Sequence, residues 1–375
     1  MIVVKRRVSV LLILLLSIVL NTGCQSKIEK ADTLLKRHTG FIDSPAVSIM
    51  VIEDGAITYQ NSNGYADIDK KIPAHSDTNY RIASVSKMFT AMSALVLIDQ
   101  GKLEFDQKIN TILSDFPEYG EEITVRHLMN HRSGLRDYIE LAPEDLDYQL
   151  VDRDVYKIIQ DTDSTYSEPG TTFYYSDTGF SILALVVEEA SGQSLPEFMK
   201  ENIFDKAGMK NAILNVEGVS EVPNRAYGCE SDGFGFKTED QSLWSAVLGD
   251  GAVYCNLNDF YKFDQALYTD KIVSPETLEE AFRLEDYDIL SEDPWSVYKA
   301  GWFLCKDGRG NVMRWHDGGT QGFTVGYFRD FERKKSLVIL TNQNQYEGVC
   351  VMQREMCKYF RIQNPFKTFK FGSGE

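Results

Sequence analysis

A serine and a lysine three residues apart form the first segment of chemical interest. They are Ser84 and Lys87, in the stretch YRIASVSK (80–87). Positions i and i+3 share one face of a helix, so the hydroxyl and the amine come within hydrogen-bond reach. In a first helical turn, free N–H groups and the helix dipole favour negative charge developing on the serine. The spacing predicts a nucleophilic serine for acyl transfer, and burial of the following helix is expected to lower the pKa of Lys87.

The same S-x-x-K pattern occurs a second time, at Ser296 and Lys299. About one such match is expected by chance in a chain of this size. The second copy precedes a predicted strand, whereas Ser84 precedes residues 88–100, which are apolar on nearly all sides and predict a buried helix. We therefore favour Ser84 as the nucleophile.

A tyrosine precedes a short polar side chain in PGTTFYYSDTGF (169–180). Tyr175 and Asp177 lie on a predicted loop that enters a helix, so both side chains can face one cleft. An ammonium nearby is expected to lower the pKa of the phenol and allow it to shuttle protons. A tyrosine alone is more often a core aromatic, so the assignment depends on the other segments.

Two consecutive glycines, Gly318 and Gly319, follow a histidine in WHDGGTQGF (315–323). Glycines at a strand edge let a substrate approach closely and leave N–H groups free to bind an oxyanion. We expect His316 to donate to a substrate carboxylate or to Tyr175.

Other sites are less well supported. His127 and His131 are four residues apart, but Leu128 replaces the glutamate of a zinc protease motif, so structural roles are expected and no metal is predicted. No G-x-S-x-G, P-loop or G-x-G-x-x-G motif occurs, which disfavours α/β-hydrolase, NTPase and dinucleotide-binding functions and predicts no cofactor. The acidic stretch 285–293 is expected to be a solvated loop.

The elements that position these residues are strands near both chain ends and helices between them. Residues 46–52 and 56–60 predict one hairpin, and 323–329 and 336–342 predict another. Residues 349–360 predict a final amphipathic helix. This order predicts an α+β fold, in which an antiparallel sheet built from both chain ends is flanked by helices and carries an inserted, mostly helical lobe.

Together, the three motif segments resemble a known family. ASVSK, YYSD and HDGG resemble, in that order, the S-x-x-K, Y-x-N and K/H-x-G boxes of penicillin-recognising serine hydrolases. These include class C β-lactamases, D-alanyl-D-alanine carboxypeptidases, D-aminopeptidases and esterases. LMNHRSGL (128–135) and GDGAVY (249–254) are similar to two further family segments. The resemblance covers roughly residues 35–345 and implies a β-lactamase/transpeptidase-like fold.

The resemblance also implies a role for each matching residue. Ser84 would be the nucleophile, Lys87 its proton acceptor or electrostatic partner, and Tyr175 the general base and then the acid to the leaving group. The N–H groups of Ser84 and Gly319 would form the oxyanion hole. His316 stands where many members have lysine, and Asp177, His316 and Gly318 would contact substrate. The implied function is hydrolysis of a small amide, peptide or ester through an acyl-enzyme.

Asp177 departs from the asparagine usual in the family. An ionised carboxylate only accepts hydrogen bonds, and it can pair with Lys87 and keep it protonated, leaving more work to Tyr175. It would also repel an anionic β-lactam, so poor β-lactamase activity is expected. The alternative function is a catalytically impaired penicillin-binding or sensor lipoprotein that retains the fold.

The first residues have the pattern of an export signal. Three basic residues precede an apolar run, 8–20, that is short for a membrane span, and NTGC (21–24) resembles a lipoprotein cleavage site. We expect residues 1–23 to be a signal peptide and Cys24 to be a lipid anchor, giving an exported, membrane-anchored lipoprotein. Residues 24–375 would form one catalytic domain, with an α/β lobe from about 30–85 and 225–365 and a helical lobe from about 86–224.

Charge and cysteine content limit the partners. The formal net charge of −17 argues against nucleic acid, and against a membrane contact beyond the lipid anchor. The expected partner is a small-molecule or peptide substrate, and the expected state is a monomer. The five cysteines after Cys24 lack zinc-like spacing and are expected to be mostly buried thiols.

Overall fold

The computed structural model describes residues 26–40, 43–143, 145–291, 293, 295–307, 309–344 and 346–364. The predicted signal peptide, residues 1–23, and the predicted anchor, Cys24, lie outside the described residues. Within the described ranges, none of the helices combines the length and the apolar character that crossing a bilayer requires.

Half of the described strands belong to one antiparallel sheet. The strands are β1 (Val47–Glu53), β2 (Ala56–Asn63), β3 (Tyr65–Asp67), β4 (Ile72–Pro73), β5 (Tyr80–Arg81), β6 (Ile213–Leu214), β7 (Cys229–Ser231), β8 (Phe236–Thr238), β9 (Val253–Cys255), β10 (Val297–Lys299), β11 (Trp302–Lys306), β12 (Val312–Thr320), β13 (Phe323–Asp330) and β14 (Lys335–Thr341). The main sheet has the order β10-β11-β12-β13-β14-β1-β2. The first strands of the chain thus pair with the last, and Ile49 lies opposite Ile339.

Helices occupy the middle of the sequence and both faces of the sheet. They are α1 (26–38), α2 (Lys87–Asp99), α3 (Val125–Met129), α4 (Tyr138–Leu141), α5 (Asp152–Gln160), α6 (Asp177–Ser191), α7 (Leu195–Met199), α8 (Asp205–Ala207), α9 (Leu248–Gly251), α10 (Leu257–Ala266), α11 (Pro275–Ala281) and α12 (Tyr346–Phe360). The predicted α+β, β-lactamase/transpeptidase-like fold is confirmed. The division into two lobes stays a prediction.

Both predicted hairpins are present, β1 with β2 and β13 with β14. β1 and β14 are apolar on both faces because each has a strand on either side and the sheet is covered by helices. The final amphipathic helix is also confirmed as α12, which packs against β13 and β14.

The helix that follows the proposed nucleophile is buried on all sides. Residues 87–97 of α2 are all buried, as predicted, and Gly101 follows the helix with φ of 67°. α2 packs against α6, which begins at Asp177. A carboxylate in a first turn is favourable because it faces the positive end of the helix dipole.

The described residues of the acidic stretch form a largely exposed loop, as expected, but one of its carboxylates is buried. The Asp288 side chain is only 3% exposed and forms an ion pair with Lys299, the lysine of the second S-x-x-K match. Arg132 lies 3.8 Å from the other carboxylate oxygen. Two cations therefore draw this carboxylate inward, which the sequence around it does not indicate.

The described cysteines are all free thiols. Only Cys350 is partly exposed, and the remaining ones are buried, as predicted: Cys229, Cys255, Cys305 and Cys357.

Candidate active site

Ser84 lies in a 3-10 turn, Ala83–Ser86, directly before α2. Ala83 has φ of 48°, a left-handed conformation that costs an alanine about 1 kcal/mol. β9 fixes the turn from both sides, because the Val253 carbonyl accepts from Ile82 N–H and the Val253 N–H donates to Ser86 Oγ at 3.1 Å. The amine of Lys87 donates to Ser84 Oγ at 3.1 Å. The structure thus brings the predicted serine and lysine together.

Lys87 is fully buried and surrounded by acceptors. Its amine donates to the Asp250 carbonyl at 3.0 Å and lies 2.6 Å from the Asp177 carboxylate. Burial disfavours the charged amine, but the Asp177 and Asp250 carboxylates outweigh it, so the pKa of Lys87 is raised above its ordinary value. The expected fall of this pKa is wrong, and the expected pairing of Asp177 with Lys87 is present.

The Tyr175 phenol lies beside Ser84 at the cavity, and its ring centroid lies 5.2 Å from the Lys87 amine. Burial and the Asp177 carboxylate raise the pKa of Tyr175 well above its ordinary value, against the opposing hydrogen bond from Ser84. The expected fall of this pKa is also wrong, because burial and the Asp177 carboxylate outweigh the effect expected from a nearby ammonium. Tyr175 is therefore a neutral phenol at pH 7.

His131 holds the tyrosine segment in place. Its carbonyl accepts from Tyr174 N–H at 2.9 Å, and its Nδ1 accepts from Ser176 N–H at 3.2 Å. Burial lowers the pKa of His131 well below its usual value, so the ring stays neutral. His127 lies elsewhere, where its Nδ1 accepts from Thr124 N–H at the start of α3. Both contacts fit the structural roles expected for these histidines.

The glycine pair lies on β12, where that strand extends beyond β11. Pairing with β11 ends at Trp315, so residues 316–320 have a neighbour only on the β13 side. Thr320 and Phe323 are paired across a two-residue turn, and the two residues that close such a turn normally exchange hydrogen bonds. Because N–H directions alternate along a strand, the N–H of Gly319 points to the open edge.

Gly318 makes the close approach between this strand and the turn that carries Ser84. A Cβ at Gly318 would lie 2.6 Å from the Ile82 carbonyl oxygen and 2.9 Å from Ser84 N, whereas a Cβ at Gly319 would meet nothing within 4 Å. Packing therefore requires a glycine at position 318 but not at position 319.

His316 is buried beneath the cavity, and both ring nitrogens are engaged. Nδ1 faces the Asp317 carbonyl and must donate to it, so Nε2 accepts from the Tyr298 hydroxyl at 3.0 Å. Burial and the nearby Lys87 lower the pKa of His316 to about 3. The expected donation to Tyr175 or to a substrate carboxylate is therefore not present. Its ring centroid is 6.3 Å from that of Tyr175.

A cavity of about 450 Å³ opens at Ser84. Its lining residues are Ser84, Phe173, Tyr175, Trp295, Phe303, His316, Asp317, Gly318 and Gly319. Three further aromatic residues of the lining were not predicted: Phe173 lies within a segment noted only for Tyr175 and Asp177, and Trp295 and Phe303 lie in segments without a motif.

Comparison with known proteins gives matches across most of the chain. The Beta-lactamase family profile matches residues 32–355. Penicillin-binding protein 4* of Bacillus subtilis is 31% identical over 315 residues, which are 80% of this chain and 68% of that protein. A D-aminopeptidase of Brucella anthropi is 30% identical over 227 residues, which are 59% of this chain but only 42% of that protein.

Solved structures share the fold at lower identity. The octameric penicillin-binding protein homologue from Pyrococcus abyssi has a TM-score of 0.77 and 23% identity, and the match covers 92% of this chain and 79% of that one. The D-amino acid amidase from Ochrobactrum anthropi, complexed with L-phenylalanine amide, has a TM-score of 0.73 and 23% identity, covering 91% and 98%.

Proposed function

Because the chain belongs to the beta-lactamase family, we propose that it is a serine hydrolase that forms an acyl-enzyme at Ser84. Its substrate is a small amide, peptide or ester. The observation that carries the proposal is the contact of one hydroxyl, that of Ser84, with both the Lys87 amine and the Tyr175 phenol at the cavity. This is the arrangement of a nucleophile with a proton-transfer partner in reach.

In the acylation step, Ser84 Oγ attacks the carbonyl carbon of the substrate. The carbonyl oxygen becomes an oxyanion, which the N–H groups of Ser84 and Gly319 stabilise. The Lys87 ammonium donates to Oγ and stabilises the negative charge that builds there during attack. Lys87 thus acts as an electrostatic partner, since its ion pair with Asp177 keeps it protonated.

Tyr175 carries the proton from the nucleophile to the leaving group. A neutral phenol cannot accept a proton without losing its own. Tyr175 therefore takes the Ser84 proton and gives its phenol proton to the leaving atom in one concerted step. The bond from the carbonyl carbon to the leaving atom then breaks. In deacylation, water attacks the ester carbon, its proton passes to Tyr175, and the phenol proton returns to Ser84 as the acid product leaves.

A fluorophosphonate probe combined with p-nitrophenyl ester hydrolysis tests this function. We expect the wild-type chain to be labelled and to turn over the esters, and Ser84→Ala to lose both. Ser296→Ala, at the second S-x-x-K match, is the matched control and should keep both, because Ser296 Oγ donates to the Leu304 carbonyl. Labelling without turnover would instead favour the impaired binding or sensor protein. Labelling that persists in Ser84→Ala would refute the proposed nucleophile.

We also propose that the chain is exported, anchored in the membrane through lipidated Cys24, and monomeric. The basic and apolar residues before Cys24 support this localisation. Cys24→Ser should move the protein from the membrane fraction to the soluble fraction, and size-exclusion chromatography of a chain lacking residues 1–24 should give the mass of one copy. Membrane association that survives the substitution would argue against the lipid anchor.

A further inference from the structure

Three aromatic side chains besides Tyr175 line the cavity at Ser84: Phe173, Trp295 and Phe303, here called the aromatic wall. The Trp295 ring lies edge-on to Phe303, with centroids 4.8 Å apart and planes at 86°. Phe303 is buried, whereas the other two are partly exposed to the cavity. The wall is therefore a preformed apolar surface beside the nucleophile.

The aromatic wall lies on the Tyr175 side of the nucleophile. The Tyr175 ring stacks on Phe303 with centroids 6.1 Å apart and planes at 9°. In the proposed reaction the phenol gives its proton to the leaving atom, so the leaving group must lie against Tyr175. The group next to Phe303 is therefore the leaving group.

Charges around this side of the cavity disfavour an anionic leaving group. None of the described lining residues is lysine or arginine. His316 is neutral, since burial and Lys87 lower its pKa to about 3, and both its ring nitrogens are engaged. The Lys87 ammonium is paired with the Asp177 carboxylate. A carboxylate bound here would lose its hydration without gaining a cation.

We propose that the aromatic wall is the leaving-group subsite, and that the chain selects substrates whose leaving group is apolar or aromatic and carries no free carboxylate. This rests on the proposed function and specifies its substrate class. It favours amides and esters of neutral amines and alcohols. It disfavours peptides that release a terminal amino acid with a free carboxylate.

Two matched pairs of substrates with one common acyl group test the inference. The first pair differs in charge alone, with D-alanine amide against D-alanine as the leaving group. The second differs in ring content, with benzylamine against methylamine. We expect kcat/KM to favour the amide over the free acid by about a hundredfold or more, since an uncompensated buried charge is costly. We expect benzylamine to be favoured over methylamine by about tenfold or more, since each added apolar group gains contact with the wall.

A substitution in the aromatic wall links the preference to the structure. Trp295→Leu should reduce the ratio of kcat/KM for the benzylamine substrate to that for the methylamine substrate. Labelling of Ser84 by the fluorophosphonate should be kept, and retained labelling shows that the site is folded. The matched control is Phe234→Leu, which removes a fully exposed ring outside the cavity lining and should leave the preference unchanged.

The outcomes separate the inference from the function it rests on. A preference for the free acid, equal kcat/KM within both pairs, or an unchanged benzylamine preference in Trp295→Leu would overturn the leaving-group subsite and leave the acyl-enzyme standing. Absence of both labelling and hydrolysis would overturn the proposed function, and the inference with it.

Discussion

Adding one methyl group at Gly318 should separate the catalytic turn from the sheet. The Cβ of Gly318→Ala would lie 2.6 Å from the Ile82 carbonyl oxygen, 2.9 Å from Ser84 N and 3.0 Å from Ala83 Cβ. Two of these three atoms are backbone, so no flexible side chain can move away to relieve the contacts. The turn that carries Ser84 must therefore move away from β12 as a unit.

The size of the effect follows from the contact distances. Ordinary contacts of a Cβ begin at 3.4 Å, so the Ile82 carbonyl must retreat by most of an ångström. Overpacking of this kind costs about 1–3 kcal/mol of stability. Displacing a nucleophile by about 1 Å costs about a hundredfold in rate. We therefore expect kcat/KM of Gly318→Ala to fall about a hundredfold, with a lowered Tm.

The assays are p-nitrophenyl ester hydrolysis and thermal unfolding, with Gly319→Ala on the same strand as the matched substitution. A Cβ at Gly319 has nothing within 4 Å, so its Tm should equal that of the wild type and its rate should change far less. A Gly318→Ala chain with wild-type Tm and kcat/KM would show that β12 does not press on the catalytic turn, and would refute the packing argument.

Three further predictions concern the charges and protons of the site. Asp177→Asn removes a negative charge that would repel an anionic β-lactam, so nitrocefin turnover, expected to be poor in the wild type, should rise about tenfold or more; unchanged turnover would contradict this repulsion. Tyr175→Phe should lower kcat by about 10²–10⁴ while Ser84 is retained, whereas Tyr298→Phe, which removes the donor to His316, should lower it much less in the same ester assay. Asp152 accepts from two backbone N–H groups of α9, and burial raises its pKa from 3.8 to about 6. Between pH 4 and pH 6 the Asp152 carboxyl is protonated in the folded chain but ionised in the unfolded chain. The contribution of Asp152 to the free energy of unfolding therefore falls as pH rises from about 4 to 6. Asp152→Asn should therefore be more stable relative to wild type at pH 7 than at pH 4 in urea unfolding, and an equal difference at both pH values would argue against this pKa.

Local patterns in the sequence were enough to predict the main elements and to single out the residues to which we assign the reaction. The two hairpins follow from apolar runs on either side of charged turns, and the burial of α2 follows from its apolar composition, because both depend on residues close together in the chain. The pairing of Ser84 with Lys87 also follows from helical spacing alone. Gly318 and Gly319 could also be singled out from the sequence, because residues without side chains permit close approach wherever they lie.

Only the tertiary structure decided the protonation states and the shape of the cavity. The pKa of Tyr175 rises because of burial and the Asp177 carboxylate, and the pKa of Lys87 rises because Asp177, which comes from another segment of the chain, outweighs the burial of the amine. His316 is occupied by Tyr298, and the aromatic wall gathers rings from three separate segments. Burial and the distances between charges determine a pKa, and these quantities exist only after residues far apart in sequence have packed together.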